Sequence, residues 1–213
     1  MDVWHVCESF RPRHCRSCGV LRQPEVISLW IKMAACAAVF YSTITLAVDD
    51  AFDPETGLRI HHYTDPVPTT VPGGVTLDTA GVVDLLQSTP DLVLLDVLSI
   101  NDVRYDELDG SWPDAPLRDN IPGSLWLPNV GYGRPAEDMR TYLLETMTEA
   151  VSGDLSKPIL VYCIADCWMG WNAVQHLANA EFKTVYWYPD GTDGWAAANL
   201  PLEVSEPVPV NVD

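Results

Sequence analysis

Residues 158–173 read PILVYCIADCWMGWNA, a stretch in which an apolar run passes through a short loop into a helical pattern. Pro158–Cys163 is apolar without interruption, which is typical of a strand buried on both faces of a parallel sheet. Trp168–Ala180 carries apolar residues at helical spacing and predicts an amphipathic helix. The stretch therefore predicts a strand, a loop that bears two cysteines, and a helix.

The same alternation of strands and helices continues through residues 75–205, which we predict to form one domain. Further strands are predicted at Leu92–Leu98, Ser124–Leu127 and Thr184–Tyr188. Further helices are predicted at Ala80–Gln87, Glu137–Val151 and Trp195–Asn199. This order predicts an α/β fold, with a central parallel sheet flanked by helices on both faces.

The segments outside this domain have a different composition. Residues 1–47 hold five of the 12 lysine and arginine residues and lead into the apolar run Met33–Val48. This pattern predicts a signal peptide with a long basic n-region, and hence a periplasmic protein with no stable membrane span after cleavage. An uncleaved membrane anchor is the alternative. Residues 48–74 predict an extended arm with a strand at Leu58–Tyr63, and residues 206–213 predict a flexible C-terminal tail.

The net charge of the chain limits the classes of partner that it can bind. The formal net charge is −18, and such a field repels phosphates, so we expect no nucleic acid or anionic membrane partner. Solubility alone explains an acidic surface, and a basic partner protein is the alternative. We predict no cofactor and no bound metal ion, since Cys15 and Cys18 have zinc-knuckle spacing but no second pair accompanies them.

The cysteine loop is the candidate site. Cys163 ends a buried strand, and ligands of open α/β sheets bind beyond the carboxyl ends of the strands. Loop amides and the N-terminus of the following helix favour negative charge, so we expect them to stabilise a Cys163 thiolate. We expect Ile164, Ala165 and Asp166 to contact substrate, together with an aromatic wall that includes Trp168 and Trp171. Core packing is the alternative for the aromatics, and a buried apolar role is the alternative for the cysteine.

Several motifs resemble a known family. They are LLDV (Leu94–Val97), IPGS (Ile121–Ser124), KPILVYC (Lys157–Cys163) and FKTVYWYPDGTDGW (Phe182–Trp195). In this order they resemble a rhodanese-like domain over about residues 77–201. The segment CIADCWMGWNA (Cys163–Ala173) resembles the exported proteins named for a CXXCW motif and associated with pyrroloquinoline-quinone (PQQ)-dependent catabolism. The resemblance implies a sulfurtransferase that carries a persulfide on Cys163, linked to PQQ-dependent alcohol oxidation.

Three residues depart from the pattern of that family. Ile164 and Trp168 stand where classical members have basic residues, and Asp166 adds a negative charge to the loop. The loop itself therefore offers no cation to thiosulfate, and phosphatase or arsenate-reductase chemistry is disfavoured for the same reason.

Cys167 is a further departure, and it leaves several functions open. As a resolving thiol it could form a disulfide with Cys163, because a four-residue spacing can reach the Cα separation of about 4.4–6.8 Å that a disulfide requires. Two thiolates at this spacing also suit Cu(I), which makes a copper carrier the second hypothesis. The third hypothesis is a non-catalytic module that docks on a periplasmic quinoprotein dehydrogenase.

Overall fold

The computed structural model describes residues 50–212, and its centre is a five-stranded sheet. The strands of that sheet are β1 (Val75–Thr76), β2 (Val93–Asp96), β4 (Leu125–Trp126), β5 (Pro158–Tyr162) and β6 (Thr184–Tyr188). They lie in the order β1-β6-β5-β2-β4, and every neighbouring pair is parallel. A second sheet pairs β3 (Arg118–Asn120) with β7 (Glu203–Ser205) in antiparallel register.

Four helices cover the two faces of the central sheet. They are α1 (Thr79–Ser88), α2 (Glu137–Ala150), α3 (Trp168–Asn179) and α4 (Gly191–Ala197). Apolar side chains of α2 and α3 belong to one buried cluster, whereas Val82 of α1 and Trp195 of α4 belong to another. The predicted α/β fold, with a parallel sheet flanked by helices, is therefore confirmed.

Strand β5 is the centre of this arrangement because its residues 159–162 are fully buried. It pairs with β2 on one side and with β6 on the other, so its apolar run meets protein in every direction. Parallel pairing brings the carboxyl ends of these three strands to one edge of the sheet. Asp96, Cys163 and the start of α4 all lie at that edge.

Several elements differ from the sequence-based expectation, which contains none of the strands β1, β3 and β7. Helix α4 begins at Gly191, four residues before the predicted Trp195, because Thr192 already donates its N–H to the Cys163 carbonyl and joins the helix to the cysteine loop. The strand predicted at Leu58–Tyr63 is reduced to a single bridge between Phe52 and Arg59.

Residues 206–212 pack against the domain, which differs from the expected flexible tail. Val210 is buried and donates its N–H to the Gly110 carbonyl at 2.8 Å. The Val208 carbonyl accepts hydrogen bonds from the indole N–H of Trp112 and the hydroxyl of Tyr142. Tertiary hydrogen bonds of this kind order a segment that has no periodicity of its own.

The predicted signal peptide, residues 1–47, lies outside the described residues. Within residues 50–212, none of the helices has the length and apolar character needed to cross a bilayer.

Candidate functional site

A disulfide joins Cys163 to Cys167 across the loop between β5 and α3. The two Cα atoms lie 6.1 Å apart, within the range of about 4.4–6.8 Å that a disulfide requires. Both cysteines are buried, with 2% of Cys163 and 8% of Cys167 exposed, whereas Asp166 between them is exposed to solvent. The sulfur atoms therefore lie beneath a loop whose outer surface is open.

The start of α4 fixes the backbone of this loop. Thr192 donates its N–H to the carbonyl of Cys163 at 3.0 Å, and Ala165 donates its N–H to Oδ2 of Asp193 at 3.0 Å. Gly191 has a φ of 52°, and a Cβ at this position would collide with the carbonyl group of Cys163. Only glycine allows so close an approach with this backbone conformation.

The helix that follows the loop is held by the arm. Cys167 is the N-cap residue of α3 and its side chain makes no capping hydrogen bond. The N–H of Trp168 instead donates to the carbonyl of Tyr63 at 3.0 Å. One of the amides expected to face the Cys163 sulfur is therefore bonded to the arm.

The indole rings of Trp168 and Trp171 also contact the arm. Trp168 donates its ring N–H to the carbonyl of Asp65 at 2.9 Å, and Trp171 donates to the carbonyl of Thr70 at 3.1 Å. The two rings meet edge to face with centroids 5.1 Å apart, and both are buried. Their expected role in substrate binding stays a prediction, while their contacts with the arm are direct.

Arg59 is a buried cation beside this aromatic pair that the sequence did not single out. Its guanidinium lies 4.6 Å from the ring centroid of Trp168 and 5.0 Å from that of Phe52. The same group forms an ion pair with Asp65 at 2.5 Å. Cations over indole faces are stabilising, so Arg59 ties the arm to the first turn of α3.

Asn172 connects the arm to the domain from inside α3. It is fully buried; its Oδ1 accepts the N–H of Arg59, and its Nδ2 donates to the carbonyls of Arg59 and Gly131, all at 2.9 Å. These three hydrogen bonds give a partner to each of three buried backbone groups.

A second cation, the partly buried Arg118, lies at the carboxyl edge of the sheet. Its Nε is 2.6 Å from Oδ2 of Asp96, and its Nη2 is 3.5 Å from Oγ1 of Thr192. Asp96 also accepts the N–H of Leu98 at 2.8 Å, the kind of backbone bond expected for a carboxylate inside a strand. Burial raises the pKa of Asp96, and the Arg118 guanidinium opposes that rise.

A groove of about 480 Å³ opens beside the cysteine loop. Ile164 from the loop, Arg118 and the two aspartates Asp119 and Asp193 form part of its wall. Most of the remaining wall is apolar and includes Leu98, Ile100, Trp126 and Leu202. The groove therefore offers an apolar surface next to the residue that follows Cys163.

A copper carrier would use the two cysteines of the loop as metal ligands. Among residues 50–212, no group of three or more His, Cys, Asp and Glu side chains is arranged to hold a metal ion. His176 of α3 lies with Nε2 2.8 Å from the carbonyl of Tyr132, and burial lowers its pKa. The Nε2 atom of this histidine therefore contacts the Tyr132 carbonyl and not the cysteine pair.

The comparisons with known proteins point to one family. The family model of the rhodanese-like domain matches residues 79–198. No curated protein matches the chain.

Three solved structures illustrate the likeness. A thiosulfate sulfurtransferase from Pseudomonas aeruginosa is 22% identical with a TM-score of 0.41, over 61% of this chain and 20% of that chain. A full-length protein from Lactobacillus plantarum is 23% identical with a TM-score of 0.40, over 62% of this chain and 88% of that one. The polysulfide-sulfur transferase homodimer from Wolinella succinogenes is 20% identical with a TM-score of 0.37, over 62% and 79%. The match thus spans a fifth of the length of the first of these proteins.

Proposed function

The chain belongs to the rhodanese-like domain family, and on that premise we propose that it performs sulfur or thiol-redox chemistry at Cys163, with Cys167 as the second thiol. The observation that carries the proposal is the disulfide between these two residues at the carboxyl end of β5. A pair that can bond directly can also exchange between dithiol, persulfide and disulfide states.

The first step is capture of a sulfane sulfur. After reduction of the disulfide, the Cys163 thiolate attacks the outer sulfur of an organic persulfide, R–S–SH. The sulfur–sulfur bond of the donor breaks, and the donor leaves as the thiolate RS⁻. Cys163 then carries the transferred sulfur as a persulfide.

The second step is resolution by Cys167. Its thiolate attacks Sγ of Cys163, the bond to the outer sulfur breaks, and that sulfur leaves as hydrosulfide. The two thiols are oxidised to the disulfide, and the sulfane sulfur is reduced to sulfide. A dithiol reductant reopens the disulfide by thiol–disulfide exchange and prepares the next cycle.

We further propose that the protein is exported and works beside PQQ-dependent alcohol oxidation. The support for export is the sequence of residues 1–47, with a basic segment before an apolar run. The support for the link to PQQ is the resemblance of Cys163–Ala173 to the CXXCW-motif proteins. A periplasmic quinoprotein dehydrogenase system is the corresponding partner.

Intact-mass spectrometry of the mature protein tests the reaction. The protein is reduced, freed of reductant under anaerobic conditions, and mixed with an organic persulfide. A Cys167→Ser protein is expected to gain the mass of one sulfur atom, because its persulfide cannot be resolved. The wild-type protein is expected to lose two hydrogen atoms and to release sulfide.

Cys163→Ser is the matched control, since it retains Cys167 in the same loop. We expect it to gain no sulfur and to form no intramolecular disulfide. Full sulfur capture by this variant would refute the assignment of Cys163. A stable mass increase of the wild-type protein equal to one copper ion would favour the carrier hypothesis instead. The N-terminal residue found in the same spectrum tests the proposed cleavage.

A further inference from the structure

Asp193 brings a carboxylate onto the cysteine loop. Its Oδ2 accepts the N–H of Ala165 at 3.0 Å, although 28 residues separate the two in sequence. The neighbouring Thr192 is bonded through its N–H to the Cys163 carbonyl. The carboxylate is therefore held in a fixed place relative to Cys163.

In this contact the Asp193 carboxylate occupies a backbone N–H that could otherwise bind an anion. Backbone N–H groups in a turn before a helix stabilise negative charge, and the outer sulfur of a persulfide carries such a charge. In this loop the N–H of Ala165 already has an anionic acceptor. A donor that brings further negative charge must approach against the field of that carboxylate.

Asp166 provides the natural comparison. It is exposed at the middle of the same loop, with a φ of 52° that aspartate and asparagine tolerate. Among the described residues, its side chain has neither an ion pair nor a hydrogen-bond partner. The two carboxylates thus carry the same charge near Cys163, and only that of Asp193 is bonded to the loop.

The groove beside Ile164 indicates that an apolar substituent, rather than charge, is the property by which the donor is recognised. Its volume is about 480 Å³ and much of its wall is apolar. Among the described residues, the only cation in that wall is Arg118, which is already paired with Asp96 at 2.6 Å. An organic substituent next to the sulfane sulfur would find apolar contacts there.

We infer that Asp193 selects the sulfur donor by charge, so that the site accepts organic persulfides of at most one negative charge and rejects the thiosulfate dianion. The inference rests on the proposed function. With either donor the Cys163 thiolate attacks the outer sulfur and the sulfur–sulfur bond of the donor breaks. The leaving group is the thiolate RS⁻ from an organic persulfide and sulfite from thiosulfate. The two donors differ in charge and size at the leaving group.

The test compares the two donors in a Cys167→Ser background, where the persulfide accumulates. The probes are thiosulfate and benzyl hydropersulfide, and the readout is the rate of sulfur addition to Cys163 by intact mass. Asp193→Asn removes the charge and retains an acceptor for Ala165, while Asp193→Ala removes both. Asp166→Asn removes an equal charge from the same loop, and thermal unfolding verifies that each variant folds.

We expect both Asp193 variants to react with thiosulfate about tenfold faster, a change that corresponds to about 1.4 kcal/mol. Their rates with benzyl hydropersulfide should change much less, so the ratio of the thiosulfate rate to the benzyl hydropersulfide rate should rise. Both carboxylates are exposed, but Asp166→Asn should move that ratio less, because no hydrogen bond within residues 50–212 holds the Asp166 charge against the loop, whereas Asp193 is bonded to the N–H of Ala165. The thiosulfate rate of the parent should also rise more steeply with ionic strength than that of Asp193→Asn.

Two results would overturn the inference while the proposed function stands. One is an equal change of the ratio in Asp166→Asn and Asp193→Asn, and the other is an unchanged ratio in both Asp193 variants, each with normal reaction of benzyl hydropersulfide. If Cys163 takes sulfur from neither donor in any variant, the proposed function fails and the inference fails with it.

Discussion

The guanidinium of Arg118 lies 2.6 Å from the carboxylate of Asp96, and the pair joins the short β3–β7 sheet to the carboxyl end of β2. Asp96 is fully buried and 11% of the Arg118 side chain is exposed. If one partner of a buried ion pair is removed, the other charge stays buried without a partner, so the two residues depend on each other. Arg118 also forms part of the wall of the groove that borders the cysteine loop.

Arg118→Met is expected to destabilise the protein by about 3–5 kcal/mol, because it leaves Asp96 buried without its cation. Urea unfolding measures the change. The double variant Asp96→Asn, Arg118→Met should recover part of the loss, since no charge then remains to be buried. Equal stability of Arg118→Met and the wild type would contradict this dependence of Asp96 on its cation.

Reduction of the disulfide should have a modest effect on stability. The bond between Cys163 and Cys167 closes a loop with a sequence separation of four, and the entropy model gives about 2 kcal/mol for so short a loop. Urea unfolding with and without a dithiol reductant measures the difference, and Cys163→Ser should show none. A loss as large as that of a long-range disulfide would indicate that the oxidised loop also supports the packing of α3.

The strand–loop–helix unit at residues 158–180 is predictable from the sequence because its signals are local. The apolar run of β5 and the helical spacing of α3 are both visible within about 20 residues. The four-residue spacing of the cysteines is likewise local, and it allows the Cα separation of 6.1 Å that the disulfide has.

The contacts that shape the site could not be found in this way, because they join distant parts of the chain. Asp193 reaches Ala165 over 28 residues, and Tyr63 reaches Trp168 over more than 100. The start of α4 reads Gly191-Thr-Asp-Gly, residues of low helical propensity, so its helical conformation depends on tertiary bonds to the cysteine loop. The arm has no periodicity, and its contacts with Trp168 and Trp171 leave no pattern in the sequence.

Asn172→Ala should loosen the arm. The change removes the partners of three buried backbone groups, two on Arg59 and one on Gly131. Each unsatisfied buried group costs about 1–3 kcal/mol, so we expect a loss of at least about 3 kcal/mol. Asn179→Ala is the matched control, since Asn179 is exposed on the same helix. Limited proteolysis should cut the arm faster in Asn172→Ala alone, and unchanged cleavage would contradict the role of Asn172.

Asp53 should make the attachment of the arm sensitive to acid. The side-chain hydrogen bond from Arg134, with help from the N–H groups of Glu55 and Thr56, lowers the pKa of Asp53 from 3.8 to about 2. A depressed pKa means that the folded state favours the carboxylate, so its contribution to stability is complete above pH 3.8. That contribution declines as the pH falls from there towards 2 and the unfolded chain binds the proton first.

Asp53→Asn isolates this effect because the amide retains an acceptor for the backbone N–H groups and carries no charge for Arg134. The difference in the free energy of unfolding between wild type and variant should be constant from pH 7 down to the ordinary pKa of 3.8 and should shrink below it. Urea unfolding at a series of pH values measures that difference. A difference that stays constant down to pH 3 or grows on acidification would mean that the pKa of Asp53 is not depressed, and that the ion pair with Arg134 does not hold the arm.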